Sequence, residues 1–209
     1  MINSKCKICR RAGVKLFLKG ERCISAKCEM VKKPYPPGQK GKRKKSPLSE
    51  FGIQLKEKQK LKNLYNLNER QFKNYVEKTL EKRGKVEDTS ALLLQYLESR
   101  LDNVVFRLGF ASSRAQARQL VSHSYFLVNG RTTNIPSYQL KKDDIVAIKP
   151  QKLKKTIFKD LKNLLKKYKT PNWLSLNVEK LEGKMIGIPT LEERGMAVEI
   201  PSIFEYYSR

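Results

Sequence analysis

The four cysteines of this 209-residue chain all lie near its N-terminus, in two close pairs. Two residues lie between Cys6 and Cys9, and four residues lie between Cys23 and Cys28. Two such pairs joined by a loop can present four thiolates to one ion, and both spacings are typical of structural zinc sites. An iron–sulfur cluster, two disulfides or four unligated thiols are the alternatives. The sequence favours one structural zinc ion, because zinc accepts four sulfur ligands without redox chemistry and intracellular disulfides are rare.

Basic residues greatly outnumber acidic ones. The chain has 45 Lys and Arg against 20 Asp and Glu, a formal net charge of +25. Residues 1–45 contain 15 basic and 2 acidic residues, whereas residues 170–209 contain 4 and 6. Such an excess favours a polyanionic partner. A membrane surface is a less favoured partner, because the chain has neither an apolar run of about 18 residues nor an apolar signal peptide. We therefore expect a cytoplasmic chain with no membrane partner. We also expect the mildly acidic tail, residues 170–209, to fold back on the rest of the protein or to face another protein.

A basic arm follows the cysteines. Residues 34–47 are rich in proline and glycine, which disfavour regular structure, and they contain a run of lysines and arginines. We expect this arm to extend and to become ordered against phosphates, the alternative being a solvated linker.

The spacing of apolar residues predicts helices on both sides of a small central module. Residues 48–84 show two helical patterns, the second capped by Asn68 with Gln71 in a capping box. Residues 90–108 predict one helix that stops at Gly109, and residues 156–168 another. From Trp173 onwards we expect an irregular tail with a possible strand at residues 197–200.

The central module combines a basic helix with a hairpin. Ser113 is a typical N-cap with Gln116 in the capping-box position, and Arg114 and Arg118 fall on one face of the helix that follows. The amides at this N-terminus favour an anion such as a phosphate. Asn129-Gly130 predicts a type I′ turn between strands at 125–128 and from 131, with a further strand at 145–149.

We assign RNA binding to the arm and to the basic and polar residues of the module. The residues are Lys42, Arg43, Lys44, Lys45, Arg100, Arg107, Ser113, Arg114, Arg118, His123, Asn129 and Arg131. His123 is the only histidine. Its role is either that of a helix-end residue or that of a contact to phosphate or sugar. No nucleophile–base pair or pair of catalytic carboxylates accompanies it, and we predict that the chain is not an enzyme.

Several segments resemble one protein family, bacterial-type ribosomal protein four of the small subunit. The run from Arg100 to Pro136, with the Asn134–Tyr138 segment, is similar to the RNA-binding module of that family. The cysteine quartet, the arm with Pro37-Gly38-Gln39, and the motifs from Pro171 to Leu174 and from Phe204 to Arg209 are similar as well. The family often has a glycine and a second histidine where this chain has Ser124 and Tyr125.

The resemblance implies a non-enzymatic protein of the small ribosomal subunit. It implies binding of small-subunit ribosomal RNA at a multi-helix junction early in assembly. It also implies a place beside the fifth small-subunit protein near the messenger RNA entry channel, where the pair affects decoding accuracy. An organelle ribosome is possible as well as a cytoplasmic one. The alternative is a zinc-bearing RNA-binding or transcription factor outside the ribosome; RNA-modifying enzymes with a similar module are disfavoured, because no segment is large enough for their catalytic domain.

We therefore predict an α+β protein. Residues 1–45 form a zinc knuckle and basic arm, and residues 98–150 form a small RNA-binding module of helices and a short antiparallel hairpin sheet. The module is inserted between two parts of a helical domain, residues 46–97 and residues 151–209.

Overall fold

A computed structural model describes residues 4–39, 41, 47–189 and 198–208. The chain divides into two compact units: Met1–Leu93 with Met196–Arg209, and Leu94–Gly195. The arm residues Lys42, Arg43, Lys44 and Lys45 lie outside the described residues, so their predicted role stays a prediction.

The first unit is helical. Its elements are α1 (Ser4–Ala12), α2 (Glu21–Ile24), α3 (Glu29–Lys32), α4 (Glu50–Leu64), α5 (Glu69–Leu80), the start of α6 (Thr89–Glu98) and α10 (Ile200–Ser208). The hydroxyl of Ser49 caps α4 by accepting from the Gly52 amide at 3.3 Å. The predicted reach of Gln71 back to the start of α5 is confirmed, because its Oε1 accepts from the Asn68 amide at 3.5 Å.

The C-terminal helix α10 packs on α4 and α5. The ring of Tyr206 lies 5.4 Å from that of Phe51, and the ring of Tyr207 lies 6.3 Å from that of Phe72. The expected strand at residues 197–200 is wrong at Ile200, which begins this helix; Ala197 is outside the described residues. Burial of residues three apart, Ile200 and Ile203, shows the helical period.

The second unit contains the end of α6, α7 (Leu101–Arg107), α8 (Arg114–Ser122), α9 (Leu161–Lys166) and one antiparallel sheet. Its strands are β1 (Phe126–Val128), β2 (Arg131–Thr133), β3 (Ile145–Ile148), β4 (Leu174–Asn177) and β5 (Glu182–Met185), in the order β2-β1-β3-β5-β4. The predicted hairpin is confirmed: Val128 pairs with Arg131, and Asn129 and Gly130 both have positive φ, as a type I′ turn requires.

The predicted single helix over residues 90–108 is in fact two helices. α6 ends at Glu98 and α7 begins at Leu101, because the chain between them is extended and pairs with residues 136–140. The amide of Leu101 donates to the Tyr138 carbonyl at 2.8 Å, and the Leu140 amide donates to the Ser99 carbonyl at 2.9 Å. These hydrogen bonds to a distant segment end α6 and precede the start of α7.

The segment from residue 151 to residue 189 also differs from expectation. The helix predicted over 156–168 is reduced to a 3₁₀ turn, Thr156–Phe158, followed by α9. The tail expected to be irregular forms β4 and β5, and β5 pairs with β3. In the structure, residues 151–189 therefore lie in the same compact unit as residues 98–150. The domain boundary expected near residue 150 stays a prediction.

Apolar side chains of α7, α8 and the sheet form the core of the second unit. Leu108, Val121, Phe126 and Val146 are all essentially inaccessible to solvent. Gly183 of β5 allows a close approach of α7: a Cβ atom built there would lie 2.3 Å from Leu108 Cδ1. The core thus fixes α7 and α8, which carry Arg107, Arg114 and Arg118 of the predicted RNA-binding residues.

Candidate nucleic-acid interface

The N-terminus of α8 is capped as the sequence predicted. The hydroxyl of Ser113 accepts from the Gln116 amide at 3.3 Å. The Gln116 side chain, however, accepts from Ser112, both from its amide at 2.8 Å and from its hydroxyl at 2.7 Å, and not from the Ser113 amide. Ser113 is itself buried, so its role in the structure is to shape this helix end.

Two arginines of the predicted interface meet at one buried carboxylate. Arg107 donates to Glu98 through Nε at 3.0 Å and through Nη2 at 2.7 Å, and Nη2 of Arg114 lies 3.9 Å from the same carboxylate. Asn103 Nδ2 also donates to Glu98, at 2.5 Å. The Glu98 side chain is only 4% exposed. Because a buried carboxylate is poorly screened, it holds both guanidiniums in fixed orientations.

Arg114 has two further contacts that fix its direction. Its Nε donates to Asn103 Oδ1 at 2.8 Å, and its guanidinium carbon lies 4.7 Å from the centre of the Phe106 ring. Arg114 is therefore a preorganised cation and not a freely moving one. Arg118, one turn further along α8, is half-buried.

Sequence reasoning missed Glu98 and Asn103. On the single continuous helix that the sequence predicted, residues nine apart lie about half a turn from each other, so Glu98 and Arg107 would have been on opposite faces. The break at Ser99 and Arg100 brings them together instead. The apolar periodicity of the sequence carries no signal for that break.

Tyr168 is a third residue that sequence reasoning did not assign to the interface. Burial raises the pKa of its phenol, while the nearby guanidiniums of Arg107 and Arg114 lower it. The residue as a whole is still 41% exposed. Its phenol thus lies within electrostatic range of both arginines.

Arg100 does not belong to the interface. Its side chain is 1% exposed and donates to Asp102 through Nε at 3.0 Å and through Nη2 at 2.8 Å. The predicted RNA contact of Arg100 is corrected to an internal ion pair at the start of α7. A guanidinium that is both paired and only 1% exposed is not accessible to a phosphate.

The other predicted residues of the module are exposed. His123 ends α8, and Arg131 lies on the edge strand β2. Asn129 is exposed too, but both polar atoms of its side chain are used within the protein: Nδ2 donates to Asp144 Oδ1 at 2.8 Å, and Oδ1 accepts from the Ile145 amide at 2.9 Å. Asn129 therefore ties the hairpin turn to β3, which its predicted role did not include.

In the first unit, the four cysteines border one small cavity of about 10 Å³, room for about one water-sized group. None of the four forms a disulfide, and three are buried. Burial raises the pKa of the Cys9 thiol, and the other three cysteines raise it further. Among the described residues, however, no three His, Cys, Asp or Glu side chains already have the arrangement of a metal site.

Lys19 lies at the same cavity. Its amide donates to Cys23 Sγ at 3.3 Å, and its ammonium Nζ is buried with no hydrogen-bond partner. A buried ammonium without a partner is costly, and negative thiolates would balance it. The residues present thus fit a thiolate-bound cation, and the zinc ion stays a prediction.

Comparison with known proteins identifies the family. Residues 1–98 match the model described as "Ribosomal protein S4/S9 N-terminal domain", and residues 99–146 match the "S4 domain". The small ribosomal subunit protein uS4 of Caldicellulosiruptor bescii is 48% identical over 208 residues, which cover 100% of this chain and 98% of the relative. The chain belongs to the uS4 family.

Other uS4 proteins are similar over the same extent. Those of Thermus thermophilus and Thermotoga petrophila are each 45% identical, over 100% and 98% of this chain respectively. The uS4 family consists of structural proteins of the ribosome, not of enzymes, which confirms the prediction that the chain is not an enzyme. In the described part of the chain, no helix is both long and apolar enough to cross a bilayer.

Proposed function

We propose that the chain is a structural, RNA-binding component of the small ribosomal subunit. The observation that carries this proposal is the similarity to uS4 proteins along the whole chain, at 48% identity to the relative from Caldicellulosiruptor bescii. The geometry supports it, because Arg107 and Arg114 are held by Glu98 beside the capped N-terminus of α8. Preorganised cations of this kind suit the phosphates of a folded RNA.

The finer assignment follows the family resemblance. We place the RNA contact at a multi-helix junction of small-subunit ribosomal RNA and expect it to form early in assembly. We also expect the fifth small-subunit protein as a neighbour, near the entry of the messenger RNA, with an influence on decoding accuracy. The contacts in this proposal are made by Arg107, Arg114, Arg118, His123 and Arg131, with Tyr168 as an added candidate.

A binding experiment tests the RNA face. The double variant Arg118→Gln, Arg131→Gln is compared with Lys78→Gln, Lys85→Gln, which removes the same charge from exposed positions of the first unit. We expect wild-type protein to bind a small-subunit RNA fragment that contains a multi-helix junction. In the interface variant, the slope of log affinity against log salt should fall by roughly 0.7–0.9 for each lost phosphate contact. Absence of wild-type binding would contradict the proposed function.

We also propose that Cys6, Cys9, Cys23 and Cys28 hold one structural zinc ion. The shared cavity, the absence of disulfides among these residues and the unpartnered ammonium of Lys19 support this proposal. Bound zinc would stabilise the short helices around it by an amount on the order of 10 kcal/mol. Native mass spectrometry tests it: one zinc per chain, lost in Cys9→Ser, is expected. A visible absorption band typical of iron–sulfur clusters, or a metal-free mass, would contradict it.

A further inference from the structure

Lys19 has a buried ammonium group, although the residue as a whole is only half-buried. Lysines normally show the reverse arrangement, in which the hydrocarbon stem is covered and the ammonium stays in water. A charge that is turned inwards without a hydrogen-bond partner costs free energy unless an opposite charge lies close to it. The orientation of Lys19 therefore indicates an anionic group inside the first unit.

The described carboxylates do not supply this opposite charge. None of them forms an ion pair with Lys19. The small cavity that Lys19 borders has no Asp or Glu among its described lining residues, but it has all four cysteines. The cysteine sulfurs are therefore the acidic groups available to this ammonium.

Backbone amides of the segment from Leu16 to Lys19 also favour negatively charged sulfur. The Lys19 amide donates to Cys23 Sγ at 3.3 Å. Burial raises the pKa of the Cys9 thiol, whereas a backbone hydrogen bond from Leu16 lowers it. One short segment thus provides hydrogen bonds to two cysteines and, through the Lys19 side chain, a cation at the same cavity.

A cation at this cavity changes the charge balance of a zinc site. Four thiolates and one Zn²⁺ have four negative and two positive charges, a formal net charge of −2. Such an excess is poorly screened in a buried site. The ammonium of Lys19 offsets half of it. A neighbouring positive charge stabilises a thiolate, and a more stable thiolate is a weaker nucleophile.

We propose that Lys19 is a charge-balancing residue that restrains the reactivity of the zinc-bound thiolates towards electrophiles. The remaining reaction begins at Cys6, because this is the only one of the four cysteines that is not buried. The proposal rests on the proposed function, since it requires the four cysteines to hold zinc. It adds that the site is protected chemically by a residue that is not a ligand.

Two other lysines border the cavity and provide a control. They are Lys5 and Lys15. Among the described residues, buried polar side-chain atoms without a hydrogen-bond partner occur only in Lys19, Gln54 and Glu57. Lys15→Met therefore removes a positive charge from the rim of the same cavity without removing a buried, unpartnered one.

Alkylation of the zinc-loaded full chain tests the proposal. A thiolate sulfur displaces iodide from iodoacetamide, so that a thioether forms, iodide leaves and the weakened ligand releases zinc. A chromophoric chelator measures the zinc released, and peptide mass spectrometry identifies the modified cysteine. We expect Lys19→Met to react roughly 3- to 30-fold faster than wild type, first at Cys6, because sulfur basicity and nucleophilicity rise when a neighbouring cation is removed. Lys15→Met should react like wild type.

An anionic reagent separates an effect of charge from a loosened fold. The ammonium of Lys19 attracts iodoacetate but not the neutral iodoacetamide. The ratio of the iodoacetate rate to the iodoacetamide rate should therefore fall in Lys19→Met, whereas Lys19→Arg, which retains the charge, should keep the wild-type ratio. An unchanged ratio in Lys19→Met, with both rates raised equally, would indicate a loosened fold and overturn the proposal.

Native mass spectrometry before alkylation separates this proposal from the proposed function. If wild type contains zinc and Lys19→Met reacts at the wild-type rate, the proposal is overturned while the zinc site stands. If wild type contains no zinc, the proposed zinc site itself fails. Loss of zinc from Lys19→Met but not from Lys19→Arg would support the role of the charge. Loss of zinc from both variants would show that the shape of Lys19 matters instead, and would overturn the proposal.

Discussion

Arg107 and Glu98 form a two-point hydrogen-bonded ion pair, with Nε–Oε2 at 3.0 Å and Nη2–Oε1 at 2.7 Å. The pair joins the end of α6 to the end of α7 across the break between the two helices. Since Arg114 of α8 approaches the same carboxylate, one acid organises three helix ends of the second unit. The proposed RNA face is thus built around one buried negative charge.

The variant Glu98→Gln tests this arrangement. Removing one partner of a buried ion pair leaves the other charge uncompensated and typically costs about 3–5 kcal/mol. We expect a loss of that order in the free energy of urea-induced unfolding, together with weaker RNA binding, because Arg107 and Arg114 lose their common anchor. The exposed acid Glu179, changed to Gln, is the matched control and should alter neither quantity. A Glu98→Gln protein as stable as wild type would show that the pair is not structural.

Substitution of Arg100 should lower thermal stability, whereas substitution of Arg131 should lower RNA affinity. Arg100→Met breaks the buried pair with Asp102, so we expect a marked drop in melting temperature, with RNA affinity of the folded protein retained. Arg131→Gln alters an exposed residue of β2, so we expect an unchanged melting temperature and weaker RNA binding. Thermal unfolding and RNA titration of the same samples measure both. Equal loss of RNA affinity in folded Arg100→Met would restore Arg100 to the interface.

The docking of α10 should depend on pH through Glu69. Partial burial raises the pKa of its carboxyl, but hydrogen bonds from Lys58, Lys62 and Tyr207 outweigh that effect and lower the pKa from 4.5 to about 2. The ionised form therefore stabilises the fold above about pH 4.5, and this contribution is lost as the pH falls towards 2. Because the Glu69 side chain is 48% exposed, solvent screening limits the contribution to about 1 kcal/mol or less.

The measurement for Glu69 is the difference in unfolding free energy between wild type and Glu69→Gln as a function of pH. We expect the difference to be largest near neutral pH and to vanish as the pH approaches 2. Glu77→Gln on α5, which has a longer ion pair with Lys73 at 3.5 Å, serves as the control. A difference that is constant across this range would rule out Glu69 as the titrating group.

Gly183 should not tolerate a side chain. The Cβ of Gly183→Ala would meet the fully buried Leu108 at 2.3 Å, and overpacking of this kind typically costs about 1–3 kcal/mol. Urea unfolding of Gly183→Ala, Leu108→Ala and the double variant forms a cycle. The double variant should be more stable than the sum of the two single effects predicts, because the shortened side chain leaves room for the new methyl group. Simple additivity would mean that the two residues are not in close contact.

Lys19 should matter for metal binding and not for the metal-free fold. In Lys19→Met, the buried ammonium of this residue, which borders the cysteine cavity, is replaced by an apolar chain of similar length. We expect weaker zinc binding in competition with a chromophoric chelator, but no loss of stability in the metal-free protein, because an unpartnered buried charge is removed. Lys78→Met is the control. Unchanged zinc affinity in Lys19→Met would exclude a counter-charge role for this residue.

The sequence correctly predicted the elements that are determined by a few neighbouring residues. The Ser113 cap and the Asn129-Gly130 turn follow from side-chain chemistry within three residues, and both are present as predicted. The break at Arg100 and the strands β4 and β5 depend instead on partners far away in the chain, residues 136–140 and β3. Apolar periodicity contains no information on such partners, so these features were missed.

The candidate site shows the same division. The sequence placed Arg114 and Arg118 on the right helix, yet residue type alone could not separate Arg100, which is inside the protein, from Arg131, which is exposed. Glu98, which holds Arg107 in place, was not predicted. The two side chains come within hydrogen-bonding distance only because the helix breaks between them. Sequence thus supplies candidate residues for the interface, whereas their geometry depends on contacts that form only in the folded chain.

The position of α10 in the chain has a consequence for the order in which the units can be completed. Its partners Phe51 and Phe72 belong to α4 and α5, but α10 itself follows the whole second unit. A ribosome delivers residues from the N-terminus onwards, so every described strand of the sheet leaves the exit tunnel before Ile200 does. The second unit, which contains Arg107, Arg114 and Arg118, can therefore fold around its core before α10 of the first unit has been synthesised. During its own synthesis, the chain can therefore complete the proposed RNA-binding surface of the second unit before the first unit is complete.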